Sequence, residues 1–268
     1  IEVSKGKVEH LPTGKQFTFG ELVESASKLS VPTSEPALKP ASEFTLIGTD
    51  VPKLDSEDKS KGQATYTLDL YQPNMLTAVV AHPPAFGATV ASFDASQALK
   101  IDGVVDVKQI PSGVVVYAKN THAAIKGRKA LTVKWDEINA ETRNSNTLHT
   151  LFSETVQKPG TSVVNKGDAA STLANASQTV EVELHFPYLA HAPMEPLDAL
   201  MVYQGDSLTA WFGSQIPTMD QGAIAASVGL KPEKVTIHTQ LAGGSFGRRS
   251  QPDAGFAVEA AMAAKAIG

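Results

Sequence analysis

Hydrophobic residues follow strand and helix periods at the start of the chain and then lose them. Alternation over residues 3–8 predicts a short strand, and Thr18 with Glu21 forms a capping box that predicts the start of a helix. Residues 31–62 are rich in Pro, Ser and charged side chains. This composition favours an extended connector over the surface of a domain, with disorder as the alternative. Residues 1–61 are therefore predicted to be a strand–helix segment and a connector.

A regular pattern resumes at residue 62 and predicts a compact domain that extends to residue 140. Apolar runs separated by glycines and helix caps have the order strand, helix, strand, strand, helix, strand. In such an α+β unit each helix covers one face of the sheet. Residues 141–166 are polar and poorly periodic, which predicts a linker with some helical tendency at residues 148–155. The predicted elements of the domain are strands 76–81, 104–110, 114–118 and 131–135 and helices capped by Asp94 and Asn120.

Residues 167–268 are predicted to form a second domain of mixed helices and strands. A helix capped by Asp168 comes first, and alternating apolar side chains over residues 180–186 predict a half-buried strand. The later elements are a hairpin over residues 200–212, a helix opened by a Thr218–Gln221 capping box and ended by Gly229, and a strand at residues 235–240. The chain as a whole is therefore assigned to the α+β class.

The segment Leu241–Ser250, called the glycine loop below, combines three glycines with two arginines. Glycines allow positive φ angles and let successive N–H groups point into one concavity. Ser250 with Asp253 is predicted to cap the helix that follows, whose positive end would favour an anion such as phosphate. The alternative is a tight strand-to-helix turn in which the glycines only relieve steric crowding.

Composition narrows the classes of function. The net charge of −5, the pI near 5.8 and the scattered lysines argue against nucleic acid as the main partner. The chain has no cysteine, which excludes disulfides, zinc–thiolate sites and cysteine-ligated iron–sulfur clusters within it. No apolar run approaches the ~18 residues of a membrane span, so no transmembrane segment is predicted. The missing initiator Met suggests a processed chain or a fragment.

Two more segments carry polar side chains that could form a site, residues 187–196 (PYLAHAPMEP) and residues 213–217 (GSQIP). His185, His191 and Glu195 could form a metal set, but their spacing fits no helix face, and a histidine satisfied by the backbone is preferred. A turn cap is the alternative role for the glutamine at position 215. The dinucleotide fingerprint, the Walker motif and the GxSxG elbow are absent.

Taken in order, four motifs resemble one known family. GDAA from Gly167, PYLAHAPMEP from Pro187, GSQ-x-P from Gly213 and GGSFGRR from Gly243 resemble the molybdopterin-binding large subunit of the xanthine dehydrogenase and aldehyde oxidase superfamily. Within that superfamily, the FGRR ending and the Pro-rich connector look most like the isoquinoline 1-oxidoreductase β-subunit. Residues 62–140 resemble the α/β hammerhead domain of that family. The resemblance thus implies a hammerhead domain followed by the first part of a molybdenum-cofactor-binding domain.

The resemblance implies hydroxylation of an N-heterocycle or aldehyde C–H bond with oxygen from water. It implies a molybdopterin-type molybdenum cofactor, expected in the cytosine dinucleotide form, and a small iron–sulfur partner subunit with two 2Fe–2S clusters. Gln215 would reach the oxo-ligand region of the molybdenum, and Phe246 would line the substrate side. Arg248 and Arg249 are candidates for pairing with phosphate or an acidic surface. The implied cofactor-binding residues are Gln215, Gly243, Gly244, Ser245, Phe246, Gly247 and Arg248.

This sequence departs from the family pattern at two points. The family loop more often has glycine at the position of Ser245, and the catalytic glutamate of the family lies in a later motif that this chain lacks. The chain thus resembles the front part of a longer, bacterial subunit, and alone it is expected to be inactive and free of molybdenum. Its substrate and its localisation, cytoplasmic or envelope-associated, stay open. The alternative function is a non-catalytic module that binds a phosphorylated ligand or partner through the glycine loop.

Overall fold

The computed structural model describes residues 1–268 and separates them into two compact units, Ile1–Glu57 and Asp58–Gly268. The first unit contains an antiparallel three-stranded sheet followed by a short helix. None of the helices in the chain is long and apolar enough to cross a membrane. The elements at this end of the chain are β1 (Glu2–Ser4), β2 (Lys7–His10), β3 (Lys15–Thr18), α1 (Phe19–Ala26), a 3₁₀ turn at Ala41–Glu43 and α2 (Ser56–Ser60).

The predictions for the first unit have different outcomes. The capping box of α1 is confirmed, because the Thr18 side chain accepts the N–H of Glu21 and the Glu21 carboxylate accepts the N–H of Thr18. The single strand predicted over residues 3–8 is wrong. Lys5 and Gly6 have positive φ angles of 49° and 76°, and they turn the chain between β1 and β2.

The second unit begins with an antiparallel sheet in the order β4–β7–β6. Strand β7 (Gly113–Ala118) is buried along its whole length between β4 (Thr77–Ala81) and β6 (Val104–Ile110). Helix α3 (Thr121–Lys129) packs against this sheet, and the Asn120 side chain caps it by accepting the N–H of Ala123 at 2.9 Å. These elements lie within one residue of their predicted bounds.

Strand β5 (Thr89–Asp94) pairs with β8 (Thr132–Asp136) in a separate antiparallel ribbon. The sequence predicts β8, but it does not predict β5, and the helix cap predicted at Asp94 is wrong. The Asp94 carboxylate accepts the N–H of Ser96 at 2.8 Å and closes a turn, after which only a 3₁₀ turn forms, at Ala98–Lys100. A short acidic side chain serves turns and helix caps equally well, so its identity does not distinguish the two.

Residues 141–190 contain two helices and no strand, although the sequence predicts a strand over residues 180–186. That prediction is wrong, since no strand pairs with this segment and its four apolar side chains are 68% to 84% exposed. A strand needs a neighbour for its N–H and C=O groups. The segment instead contacts the first of the two helices, because His185 stacks on His149 with ring centroids 4.2 Å apart. The helices are α4 (Ser145–Val156) and α5 (Ala169–Ala174), the second capped by Asp168 as predicted.

The last sheet has the strand order β9–β10–β11. Strands β9 (Leu200–Tyr203) and β10 (Leu208–Phe212) form the predicted hairpin, and β11 (Val235–Thr239) runs parallel to β10. Helix α6 (Pro217–Val228) connects the two parallel strands. It ends at Gly229, as predicted, with a φ of 76°.

The helix that follows the glycine loop, α7 (Gly255–Ile267), packs against two sheets. Its Ala257 and Ala261 are buried in the core that contains β10, β11 and α6. Further along the same helix, Ala263 packs in the core of the β4–β7–β6 sheet, and the Tyr117 hydroxyl donates a hydrogen bond to the Ala263 carbonyl at 2.7 Å. The end of the glycine loop is therefore tied to two cores.

A matched pair of helical glycines tests the packing of α3 against the β4–β7–β6 sheet. A Cβ at Gly127 in α3 would lie 2.7 Å from a methyl carbon of Val116 and 2.9 Å from one of Val104, whereas a Cβ at Gly222 in α6 would meet nothing within 4 Å. Gly127→Ala should lower the free energy of unfolding by about 1–3 kcal/mol through overpacking. Gly222→Ala should raise it by about 0.5–1 kcal/mol, because alanine favours helix. Urea titrations of both variants check the opposite signs, and equal stabilisation would contradict the packing of α3.

Candidate functional site

Two loops of the predicted site lie side by side because they follow the parallel strands β10 and β11. Residues 213–217 follow β10, and the glycine loop follows β11. Phe212 is in register with Thr239, and the N–H of Gln240 donates to the carbonyl of Phe212 at 3.0 Å, so the two strands end together. The carboxyl ends of parallel strands are the usual ligand-binding edge of such sheets.

A ring of three hydrogen bonds joins the two loops. The backbone N–H of Gln215 donates to the carbonyl of Arg249 at 3.2 Å, and the N–H of Arg249 donates to Oγ of Ser245 at 3.1 Å. The Ser245 hydroxyl then donates to Oε1 of Gln215, which closes the ring. The structure thus brings together Gln215 and Ser245, which are 30 residues apart in the sequence.

Arg249 is the most deeply buried charged residue of the site, with 1% of its surface exposed. Its Nη2 donates to Oε2 of Glu195 at 2.8 Å, its Nε donates to the carbonyl of Gly244 at 3.0 Å, and its Nη1 donates to the carbonyl of Gly213 at 3.5 Å. The expectation that Arg249 is available to a phosphate or an acidic surface is therefore wrong. Its guanidinium links three segments of this chain.

Glu195 completes this arrangement, although the sequence suggests it only as a possible metal ligand. Its Oε2 accepts the N–H of Gly243 at 2.9 Å, and its own N–H donates to the carbonyl of Gly243 at 3.0 Å. A Cβ at Gly243 would lie 2.5 Å from Cβ of Glu195, so only glycine fits there. Oε1 of Glu195 is buried without a hydrogen-bond partner. Two features of the sequence could have indicated this pair: Glu195 lies among prolines, and Arg249 follows the glycines of the loop. Buried charged residues occur mainly as pairs.

The backbone of the glycine loop exposes a row of donors. Gly244, Phe246 and Gly247 have positive φ angles of 112°, 55° and 91°. The N–H groups of residues 244–247 make no hydrogen bond within the chain. Phe246 is 77% exposed, and a Cβ at Gly247 would meet nothing within 4 Å. Backbone of this kind forms concave sites for ligands that accept hydrogen bonds.

The predicted start of α7 at Ser250 is wrong. The helix begins at Gly255, after Ala254 with a positive φ of 49°, and the Asp253 carboxylate accepts the N–H of Gly255 at 3.2 Å. Ser250 instead closes a turn by donating its N–H to the carbonyl of Gly247 at 3.1 Å. Pro disfavours helix at the residue before it, and position 252 is a proline. The positive end of α7 therefore lies at Gly255 and not at Ser250, where the sequence predicts it.

The loop that carries Gln215 is shaped by the start of α6. Ser214 donates its hydroxyl to the buried Asp220 carboxylate and accepts the N–H of Ile216 at 3.2 Å. The predicted capping box of Thr218 and Gln221 is wrong, because no side chain caps this helix and Pro217 occupies its first turn. The Gln221 side chain instead donates to the carbonyl of Val235 at 2.8 Å and ties α6 to β11.

An open groove of about 570 Å³ lies along one side of the glycine loop. Its lining does not include Gln215, Ser245 or Phe246, so these three side chains lie outside the groove. A parallel bridge between Tyr66 and Leu241 brings residues 66–69 to its edge. The lining residues with polar groups or glycine backbone are Lys59, Tyr66, Asp69, Glu195, Gly243 and Gly244.

The chain is similar to several known proteins. Residues 152–268 match the molybdopterin cofactor-binding domain family. The whole chain aligns with the β-subunit of isoquinoline 1-oxidoreductase from Brevundimonas diminuta at 31% identity. The chain is similar to members of the xanthine dehydrogenase and aldehyde oxidase superfamily. Within this superfamily, 90% of the chain also aligns with a nicotinate dehydrogenase subunit of Pseudomonas putida at 27% identity.

The chain spans a minority of the length of these superfamily members. It covers 39% of the isoquinoline 1-oxidoreductase subunit and 21% of the nicotinate dehydrogenase subunit. The crystal structure of quinoline 2-oxidoreductase from Pseudomonas putida 86 matches 82% of this chain and 33% of that chain, with a TM-score of 0.61 and 18% sequence identity. This structural match shows that the mixed helix and strand fold is that of molybdenum hydroxylases.

Asp198 is the third ionisable group of the Arg249 cluster. Burial raises the pKa of Asp198 from its ordinary value of 3.8 to about 6, and the negative charge of Glu195 adds to the rise while Arg249 opposes it. Oδ1 of Asp198 is buried without a hydrogen-bond partner. The Asp198 carboxylate therefore binds a proton at a higher pH than an ordinary aspartate does.

This pKa predicts a pH-dependent effect of Asp198→Asn. The folded state binds the Asp198 proton more tightly than the unfolded state does, so the parent loses stability relative to the variant as the pH rises from about 4 to about 6. Asp198→Asn should be near neutral at pH 4.5 and should stabilise by about 1 kcal/mol at pH 7.5, after allowance for partial exposure. Urea titrations at both pH values measure this. Asp102→Asn, at an exposed carboxylate, is the control, and a pH-independent Asp198 effect would contradict the assignment.

Proposed function

We propose that this chain forms part of the catalytic subunit of a molybdenum hydroxylase that acts on an N-heterocycle or aldehyde C–H bond with oxygen from water. Electrons would pass to a small iron–sulfur partner subunit with two 2Fe–2S clusters. The observation that carries the proposal is the row of unbonded N–H groups at residues 244–247 beside Gln215, within the residues that match the cofactor-binding domain family. Residues 62–140 would be the hammerhead domain.

The residues present fit a large cofactor with many polar atoms. Four successive N–H groups can donate to it, and the open space at Gly247 lets it approach the backbone closely. When bound, a molybdopterin cofactor would supply the two-electron redox chemistry. We propose the cytosine dinucleotide form.

Each site residue has a role that its position supports. The glycine-loop residues Gly243 to Gly247 hold the cofactor through backbone donors, and Arg248, whose side chain contacts Gln251, lies next to them. Gln215 donates its side-chain N–H₂ to a hydrogen-bond acceptor of the cofactor. Phe246, with most of its ring exposed, excludes water on the substrate side. The alternative of a non-catalytic phosphate-binding module has less support, because the Arg249 guanidinium forms a buried ion pair with Glu195 and is not free to bind a phosphate.

The first test of the proposal replaces Gly247 with valine. Gly247 and Gly205 share positive φ angles of 91° and 84°, and a Cβ at either would meet nothing within 4 Å, so valine imposes a similar backbone strain at both. In the complete enzyme, Gly247→Val should lower molybdenum content at least about tenfold, because one or more backbone donors move. Gly205→Val should keep its molybdenum. Normal loading of both variants, by elemental analysis, would remove the glycine loop from the cofactor site.

The second test concerns Gln215. A hydrogen bond that strengthens in the transition state contributes to kcat, so Gln215→Ala in the complete enzyme should lower kcat by about 30- to 1,000-fold, equivalent to ~2–4 kcal/mol. Gln178→Ala, at an exposed glutamine, is the control. Steady-state dye reduction with N-heterocycles and aldehydes provides the measurement, and circular dichroism checks the fold. A kcat within twofold of the parent would exclude Gln215 from the site.

A further inference from the structure

We infer that Ser245 is a positioning residue that sets which end of the Gln215 side-chain amide faces the cofactor site. The inference rests on the proposed function, because it assigns Gln215 a donor role toward the cofactor. It concerns the side chain of Ser245, whereas the proposed function uses only the backbone at that position. Glycine, which the family loop more often has there, cannot make the contact.

The two hydrogen bonds of the Ser245 hydroxyl in the structure give the direction of the contact. Its oxygen accepts the N–H of Arg249 at 3.1 Å, and its hydrogen is left to donate. The acceptor of that hydrogen is Oε1 of Gln215. A primary amide has its acceptor at one end and its two donors at the other. Holding the oxygen against Ser245 therefore leaves the N–H₂ group of Gln215 free to donate elsewhere.

The two orientations of the amide are nearly equal in shape, since rotation by about 180° exchanges oxygen for nitrogen. Without this contact nothing in the chain would favour one of them. An amide oxygen turned toward an acceptor makes no hydrogen bond with it and repels it. The Gln215 side chain makes no other hydrogen bond in the structure, so Ser245 is its single orienting contact.

The anchor for this contact is the buried ion pair. Both backbone groups of Arg249 belong to the ring, since its N–H donates to Ser245 and its carbonyl accepts the N–H of Gln215. The guanidinium of the same residue is held by Glu195 at 2.8 Å. Ser245 and the backbone of Gln215 are thus both bonded to one buried, ion-paired residue, which keeps the hydroxyl and the amide in register.

A spectroscopic experiment on the 268-residue chain tests, without any cofactor, whether Ser245 holds the Gln215 side chain in place. In chain labelled with ¹⁵N at glutamine side chains, the Gln215 signal is assigned by its loss in Gln215→Glu. Its order parameter should be high in the parent and should fall below about 0.6, the range of flexible groups, in Ser245→Ala. Ser245→Thr keeps the hydroxyl and should keep the rigid signal. An equally rigid amide in Ser245→Ala, or a mobile one in the parent, overturns the inference.

A kinetic experiment in the complete enzyme tests the consequence. Ser245→Ala should lower kcat about five- to tenfold with KM and molybdenum content unchanged, as expected for one misaligned hydrogen bond, and Ser245→Thr should restore it. In a Gln215→Ala background, Ser245→Ala should cause no further loss. If Gln215→Ala lowers kcat and Ser245→Ala does not, the positioning inference fails and the proposed function stands. If Gln215→Ala has no effect, the proposed role of Gln215 fails, and the spectroscopic result still decides whether Ser245 orders the Gln215 side chain.

Discussion

The shape of the candidate site depends on the buried ion pair between Arg249 and Glu195. The guanidinium also holds the carbonyls of Gly213 and Gly244, so three segments that are distant in sequence meet at one side chain. Removing one partner of such a pair costs about 3–5 kcal/mol, because the other charge stays buried alone. The pair matters here mainly through geometry, since it fixes the path of a glycine-rich backbone that would otherwise have little to restrain it. The positive φ angles at Gly244 and Gly247 are maintained within that fixed path.

The sequence predicts well those elements that depend on local signals. The predicted bounds of strands β6 and β7 and helix α3 are within one residue because glycine breaks and an Asn120 cap mark their ends. Elements that depend on a distant partner are predicted poorly. Strand β5 exists because β8 pairs with it, and residues 180–186 form no strand because none of the strands is beside them. Period and propensity do not report which neighbour a segment will have.

For the site, the sequence motifs indicate the correct loops but not the contacts within them. Gln215 and the glycine loop are expected to act together, and the parallel pairing of β10 with β11 does place them at one edge. The sequence does not show which of the two adjacent arginines is buried, because both look alike in the pattern, although Arg248 contacts Gln251 and Arg249 is enclosed. The false helix start at Ser250 has a related cause. A capping signal in sequence carries no information about a competing turn, and here Ser250 closes one with Gly247.

The attachment of α7 to two sheets has a consequence for how the second unit folds. Tyr117 and Ala263 are 146 residues apart in the sequence, and their contact closes a long loop of chain. Such closure is slow because its entropic cost precedes the contacts that repay it. The glycine loop joins β11 to α7, so it reaches its final conformation only when both ends are in place. We therefore expect the region that carries the candidate chemistry to be among the last to become ordered.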